Sequence, residues 1–265
     1  MTADADLRPC VLVFAGLDPS GGAGLTADLQ AVAGQGAHAL TVCTALTVQD
    51  NDRVYGVQPV EAGLVLRQAR TLADKFAISA VKIGITGSAA NAQVIAEFIG
   101  WLRERAAAAG LAEIPVVLDP VLASGHGDLL SRDDAAQALS PLLPLTTVLT
   151  PNGPEAQTLT DATQPAAQAQ ALRARGCRHI LITGGHDDGD EVVNGWYGPD
   201  APREWRWPRL DGAFHGSGCT LASAIAGQLA LGLPTAVALE RAQYYVYHAL
   251  RDAYAIAAGQ RIPLR

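Results

Sequence analysis

The chain has 265 residues, of which 49% are hydrophobic, 17% charged and only 5% aromatic, and its formal net charge is −7. That length is about the upper size of one α/β domain, and a core so poor in aromatics must be built from Ala, Val, Leu and Ile, as in helices packed on a parallel sheet. The acidic balance excludes the electrostatic footprint that nucleic acid or an anionic membrane surface requires.

PCVLVFAG (9–16) is a continuous apolar run and predicts a buried strand that ends in the glycine-rich turn LDPSGGAG. TADLQAVAGQG then has helical spacing, and AHALTVCTALTVQ (37–49) predicts a second strand with its flanking turns. A helix follows from Glu61 to Phe76, a strand over 79–85, an alanine-rich helix from Asn91 to Gly110, and a strand over 114–121 that ends on an aspartate. TTVLTPN (146–152) is a strand ending on an asparagine, 154–175 is helix-like, and CRHILITGG (177–185) is again a strand. Alternating strands and helices imply βαβ units, a parallel sheet and right-handed crossovers. Residues 191–210 break the alternation and predict an antiparallel edge hairpin, after which two helices, 219–231 and about 234–258, close a single domain spanning 1–265.

The N-terminal MTADADLRPC has no apolar signal core, and nowhere do about 18 apolar residues run uninterrupted, so a cytoplasmic protein is expected. Cysteines at 10, 43, 177 and 219 form no CxxC pair, which argues against a disulfide framework or a zinc knuckle. Cys10, Cys43 and Cys177 adjoin apolar runs and read as small buried side chains.

In such folds, sites gather at the carboxyl ends of the strands, and there the polar and glycine residues lie: LDPSGGAG, VQDND, GITGS, LDPVLASGHGD, TPNGPE and TGGHDDGD. Gly16 and Gly21 have the spacing of a phosphate loop, but Gly22-Ala23 follows where Lys-Ser/Thr is needed. Gly22 to Ala27 fits a dinucleotide fingerprint weakly, and the plainer reading is a strand turning into a helix. Asp28 falls on that helix's second turn, where spacing alone equally suits a solvated carboxylate. HGSGCT (215–220) is more specific. At a helix start the N–H groups of Gly216, Ser217, Gly218 and Cys219 would lack partners, and the macrodipole adds positive potential, so a phosphate could dock there. A thiol in that position is expected to have a lowered pKa; the plainer alternative has Ser217 capping the helix and Cys219 buried. Asp119, Asn152 and Glu155 stand at the ends of two other strands and supply the hard oxygens that suit Mg²⁺ carried in on nucleotide phosphates. Together they describe a phosphoryl-transfer site.

AGLDPSGGAGLTAD, TALTVQ, VKIG, LDPV, TPNGPEA, TGGH and HGSGCT occur in an order that resembles the hydroxymethylpyrimidine and phosphomethylpyrimidine kinases of thiamin biosynthesis, in the ribokinase superfamily, from about residue 9 to 255. The resemblance implies a ribokinase-like three-layer α/β/α fold. It also implies ATP- and Mg²⁺-dependent phosphorylation of 4-amino-5-hydroxymethyl-2-methylpyrimidine and its monophosphate. By motif, Gly16, Asp28, Gln49 and Val121 would surround the pyrimidine. Cys219 would be the base, with Gly216, Ser217 and Gly218 holding the phosphoryl group. Asp119, Asn152 and Thr183 would sit on the nucleotide side, and Glu155 with Asp119 at the metal. The resemblance also suggests a homodimer. Thr183 and Gln243 stand where the family often has lysine, and Leu17 and Ile85 replace other usual residues; Lys82 or Arg241 are candidates to compensate. A pyridoxine or pyridoxal kinase, a nicotinamide-dependent oxidoreductase and a non-catalytic pyrimidine-binding descendant are the competing readings.

Overall fold

A computed structural model describes residues 7–122, 135–186 and 188–265. Parts of the polar loops anticipated over 118–128 and 183–190 therefore lie outside the described residues. The strands are β1 (Cys10–Leu17), β2 (His38–Gln49), β3 (Val54–Pro59), β4 (Ile78–Ile83), β5 (Val116–Leu118), β6 (Val148–Leu149), β7 (His179–Ile182), β8 (Glu191–Tyr197) and β9 (Arg203–Pro208). The helices are α1 (Gly24–Gly34), α2 (Ala62–Lys75), α3 (Ala89–Ala108), α4 (Ala135–Ala138), α5 (Gly153–Thr160), α6 (Pro165–Ala174), α7 (Ser217–Ala230) and α8 (Thr235–Arg251).

All nine strands form one sheet in the order β3-β2-β1-β4-β5-β6-β7-β8-β9. The six from β2 to β7 run parallel, β3 is antiparallel at one edge, and the β8–β9 hairpin is antiparallel at the other. Side chains alternate across β1. Leu12 and Phe14 join a core with Val65 of α2, Ile95 and Phe98 of α3 and Leu172 of α6, whereas Val11, Val13 and Ala15 meet Val32 of α1, Ile225 of α7 and Leu239 of α8. Buried on both faces, β1 is apolar throughout its first six residues, which is why a continuous run was its signature. Because β2 lies on one side of β1 and β4 on the other, the crossovers reverse direction there and leave a crevice above the strand ends.

Three expectations need correction, and one strand was not anticipated. Strand β3, VYGVQP, carries a glycine and ends in proline, both of which an edge strand tolerates. The helical region 154–175 divides into α5 and α6, because Asp161 takes a left-handed conformation (φ 59°) and Pro165 begins a new helix. Helix α8 ends at Arg251 rather than near 258, after which the chain turns back so that Tyr254 and Ile262 pair. Of the three cysteines expected in the core, only Cys177 is fully buried, while Cys10 and Cys43 are half-buried. No helix among the described residues is long and apolar enough to cross a membrane.

Candidate active site

The turn after β1 is organised by Asp18. Its carboxylate accepts the Ser20 N–H (2.8 Å), the Ala23 N–H (2.7 Å) and the Ser20 hydroxyl (2.9 Å), and it pairs with His215 Nε2 at 2.8 Å. Burial opposes its ionisation, but the bonds from His215, Ser20, Gln49 and Ala23 prevail and hold its pKa at about 2. The turn lies so close to its neighbours that a side chain at Gly22 would run into the His215 ring, and one at Gly24 (φ 54°) into the Gly16 carbonyl. Asp18 thereby ties the first glycine-rich turn to the segment before α7.

Asp28 is neither a solvated helix-face carboxylate nor part of the cavity wall. It is fully buried beneath the site, bound by Lys82 Nζ at 2.7 and 2.8 Å and by the Ser223 hydroxyl at 2.7 Å. Both oxygens are engaged, so a pyrimidine amino group cannot reach them without breaking a buried ion pair. Lys82 is equally buried; burial alone would lower its pKa, but Asp28, Cys219 and Asp119 outweigh that and raise it, so it is firmly cationic.

Gly216 (φ 75°) is the residue before α7, and no side chain caps the helix, which corrects the alternative of a capping Ser217. The first helical bond runs from Thr220 N–H to Gly216 C=O, leaving the amides of Ser217, Gly218 and Cys219 at the open end of the helix. A Cβ at Gly218 would lie 3.6–3.7 Å from both Asp119 carboxylate oxygens, so glycine keeps the gap between helix and carboxylate clear. The lowered pKa expected for Cys219 is not found. Burial pushes its thiol up to about 12, reinforced by Asp28 and Asp119, although Lys82 and the Gly24 N–H act the other way.

Opposite the amides stand two carboxyls in surroundings that favour their neutral forms. Burial raises Asp119 to about 6 despite Lys82, and its Oδ2 is buried without a hydrogen-bond partner. Glu155 is raised to about 8 by burial and by Asp119, while N–H groups of Asn152 and Leu122 pull it down. Asn152 and Glu155 form a capping box on α5: the Asn152 side chain accepts the Glu155 N–H at 2.8 Å, and Glu155 accepts the Asn152 N–H at 2.9 Å. Thr183 is bridged to Asn152 across the ends of β6 and β7.

These residues surround one cavity of about 570 Å³, whose wall contains Gly16, Gln49, Asp119, Val121, Asn152, Glu155, Thr183 and Gly216 to Cys219. Gln243, in the place of a family lysine, is buried there with both polar atoms bonded: its Oε1 accepts from Asn194 (2.9 Å) and Trp207 (3.3 Å), and its Nε2 donates one bond to the Leu239 carbonyl. Lys82 reaches the wall with its ammonium held by Asp28, whereas Arg241 is exposed and away from it. Ile85 lines the cavity and Leu17 does not. The sequence reading missed Asp18 as the organiser of the first turn, although an aspartate two residues before a serine in a glycine turn is the pattern of a side chain that bonds its own backbone. It also missed the Asn194–Trp207 contribution, which carries no local signal.

The family model described as phosphomethylpyrimidine kinase matches residues 18–264. A hydroxymethylpyrimidine/phosphomethylpyrimidine kinase of Streptomyces coelicolor is 39% identical over 259 residues, covering 95% of this chain and 92% of that protein; one of Rhizobium meliloti is 35% identical, with 94% and 93% covered. Among solved structures, Bacillus subtilis pyridoxal kinase in complex with ADP superposes with a TM-score of 0.84 at 25% identity, covering 97% of both chains. A phosphomethylpyrimidine kinase from Clostridium difficile gives 0.75 at 29% identity, with 90% of this chain and 98% of that one covered. A shared α/β architecture, the amide-rich start of α7 facing two strand-end carboxyls and a family match over almost the whole length agree: the chain belongs to the phosphomethylpyrimidine kinase family.

Proposed function

We propose that the protein transfers the γ-phosphoryl group of ATP to the hydroxymethyl group of 4-amino-5-hydroxymethyl-2-methylpyrimidine, and then phosphorylates the monophosphate. The observation that carries this reading is the convergence of the α7 amides, Cys219 and the unpartnered Asp119 oxygen on one cavity. The thiolate form of Cys219 takes the hydroxymethyl proton, while the N–H groups of Ser217, Gly218 and Cys219 receive the charge on the transferring phosphoryl. The donor set suits Mg²⁺: Asp119 presents an orphaned buried oxygen, and Glu155 beside it gains from a nearby cation. Among the described residues no three His, Cys, Asp or Glu gather into a closed cage, so the ion would enter with the nucleotide. Asp119 and Glu155 would hold it, and it would supply positive charge to neutralise the phosphates.

Gln49 supports the choice of pyrimidine. It lines the cavity, and a side-chain amide carbonyl there can accept a hydrogen bond from a ligand donor. An amino group beside the reacting hydroxymethyl is such a donor, whereas the formyl group in that place in pyridoxal is not. The close superposition on a pyridoxal kinase nevertheless favours pyridoxal as the second reading. Coupled ADP release, measured with the pyrimidine alcohol, its monophosphate and pyridoxal offered separately, tests the assignment. Turnover of both pyrimidines is expected; turnover of pyridoxal alone overturns it, and no turnover at all leaves a non-catalytic binder. We also propose that the protein works in the cytoplasm, where ATP is available, as a homodimer through the β2–β3 edge, where Leu46 is 50%, Val48 65% and Tyr55 69% exposed.

A further inference from the structure

Beyond α8 the chain turns back, and residues 261–265 lie against both glycine-rich turns. Arg261 N–H bonds Ala213 C=O at 2.8 Å, His215 N–H bonds Arg261 C=O at 2.9 Å, and Leu264 N–H bonds Ala249 C=O at 2.9 Å. Ile262 is buried, and Asn51 on the β2–β3 turn donates to the carbonyls of Ala258 and Gln260. This segment delivers Arg265 to the place where the two turns meet. Its guanidinium donates to the Gly22 carbonyl at 2.5 Å, the Thr220 hydroxyl at 2.8 Å, Gln30 Oε1 at 3.4 Å and the His215 carbonyl at 3.5 Å.

Those acceptors belong to the parts whose relative placement the site needs. The Gly22 carbonyl lies so close to Gly216 that any side chain at 216 would collide with it. His215 C=O is in the peptide plane that leads into Gly216, and Thr220 Oγ1 itself bonds the Gly216 carbonyl at 2.7 Å. Without a donor between them, the Gly22 and His215 carbonyls would share one half-buried spot with no compensating charge. A planar fork with five N–H groups satisfies several such acceptors at once, which an ammonium on a flexible stem does not.

We infer that Arg265 is a positioning residue: its guanidinium locks the 18–23 turn against the 214–217 turn and so sets the direction of the amides at 217–219. The inference rests on the kinase reading above and acts through the amides rather than on the reacting atoms. Misplacing a preorganised donor by an ångström can cost roughly 10²-fold in rate.

The test compares the wild type with Arg265→Gln, Arg265→Lys and Arg265→Ala, using the acceptor with which the wild type converts ATP to ADP fastest. Expected for Arg265→Gln is a kcat lower by roughly 10- to 100-fold with KM for the acceptor within about threefold. Arg265→Lys should also lose turnover although it keeps the charge, and millimolar guanidinium should restore kcat of Arg265→Ala several-fold without stimulating the wild type. A kcat within twofold of wild type overturns the inference, as does a loss that merely follows the folded fraction in a thermal melt and resists guanidinium. Absence of ADP release from the wild type with every acceptor defeats the kinase reading itself, and this inference with it. An active wild type with unaffected variants defeats the Arg265 role alone.

Discussion

Cys219 and Asp28 behave differently from what their positions in the chain imply. A thiol at a helix start ordinarily ionises easily, but here burial and two neighbouring carboxylates push its pKa up to about 12. Its thiolate fraction then grows with pH throughout the neutral range, so kcat/KM for the pyrimidine should rise between pH 7 and 9. A flat profile there assigns the proton to another group. Cys219→Ala should lower kcat by roughly 10²–10⁴ while leaving thermal unfolding and pyrimidine binding nearly unchanged, and full activity would remove Cys219 from the mechanism. Asp28 and Lys82 form a buried pair whose disruption on one side leaves a bare charge, at a cost of roughly 3–5 kcal/mol. Asp28→Asn is therefore expected to lower Tm by roughly 10 °C, and the double change Asp28→Leu with Lys82→Met by much less. If Asp28→Asn melts like the wild type, the pair has no structural role.

Among the elements, α7 depends most on one residue before it. Gly216 occupies a left-handed conformation and faces the Gly22 carbonyl, so Gly216→Ala combines backbone strain of about 1–3 kcal/mol with a clash that shifts the helix start. We expect kcat to fall at least tenfold, with Tm lowered by several degrees and ADP affinity reduced; isothermal titration with ADP alongside turnover checks this, and unchanged kcat would show that the amides need no such placement. The glycines of HGSGCT announced this turn in the sequence, because few other residues adopt its geometry. Strand β3 gave no such notice, since an edge strand with one neighbour needs neither alternation nor a continuous apolar run. The break between α5 and α6 was visible in Pro165 but was outweighed by the surrounding alanines.

For the whole molecule, the cavity's carboxyls dominate the response to pH. Folding raises Asp119 to about 6 and Glu155 to about 8, so the folded protein retains protons that the unfolded chain releases. Their contribution is complete below the ordinary carboxyl range near pH 4 and is lost as pH rises through about 6 and then 8. Asp18, held at about 2, has the opposite sign, and its stabilisation disappears only as pH falls from about 4 toward 2. Nucleotide-free protein should consequently melt at a higher temperature at pH 5.5 than at pH 8.5, and Mg²⁺ with ADP should narrow the gap. A higher Tm at pH 8.5 without nucleotide contradicts the environment assigned to these groups. At the β2–β3 edge, Val48→Glu should convert the expected dimer into monomer by light scattering, and a monomeric wild type refutes the assembly.

Much of this was determined by the sequence alone. The apolar run of β1, the alternation of strands with helices, the hairpin over 191–210 and the polar residues at strand ends depend on local periodicity and turn chemistry, which a linear string records. The tertiary structure alone decided that Asp28 lies under the floor against Lys82, that Asp18 reaches His215 across 197 positions, that Gln243 is bonded by Asn194 and Trp207, and that Arg265 returns to the first turn. It also decided the protonation of Cys219, Asp119 and Glu155. The reason is physical: desolvation and charge–charge interaction depend on which groups share a buried volume, and packing brings those groups together irrespective of their separation along the chain.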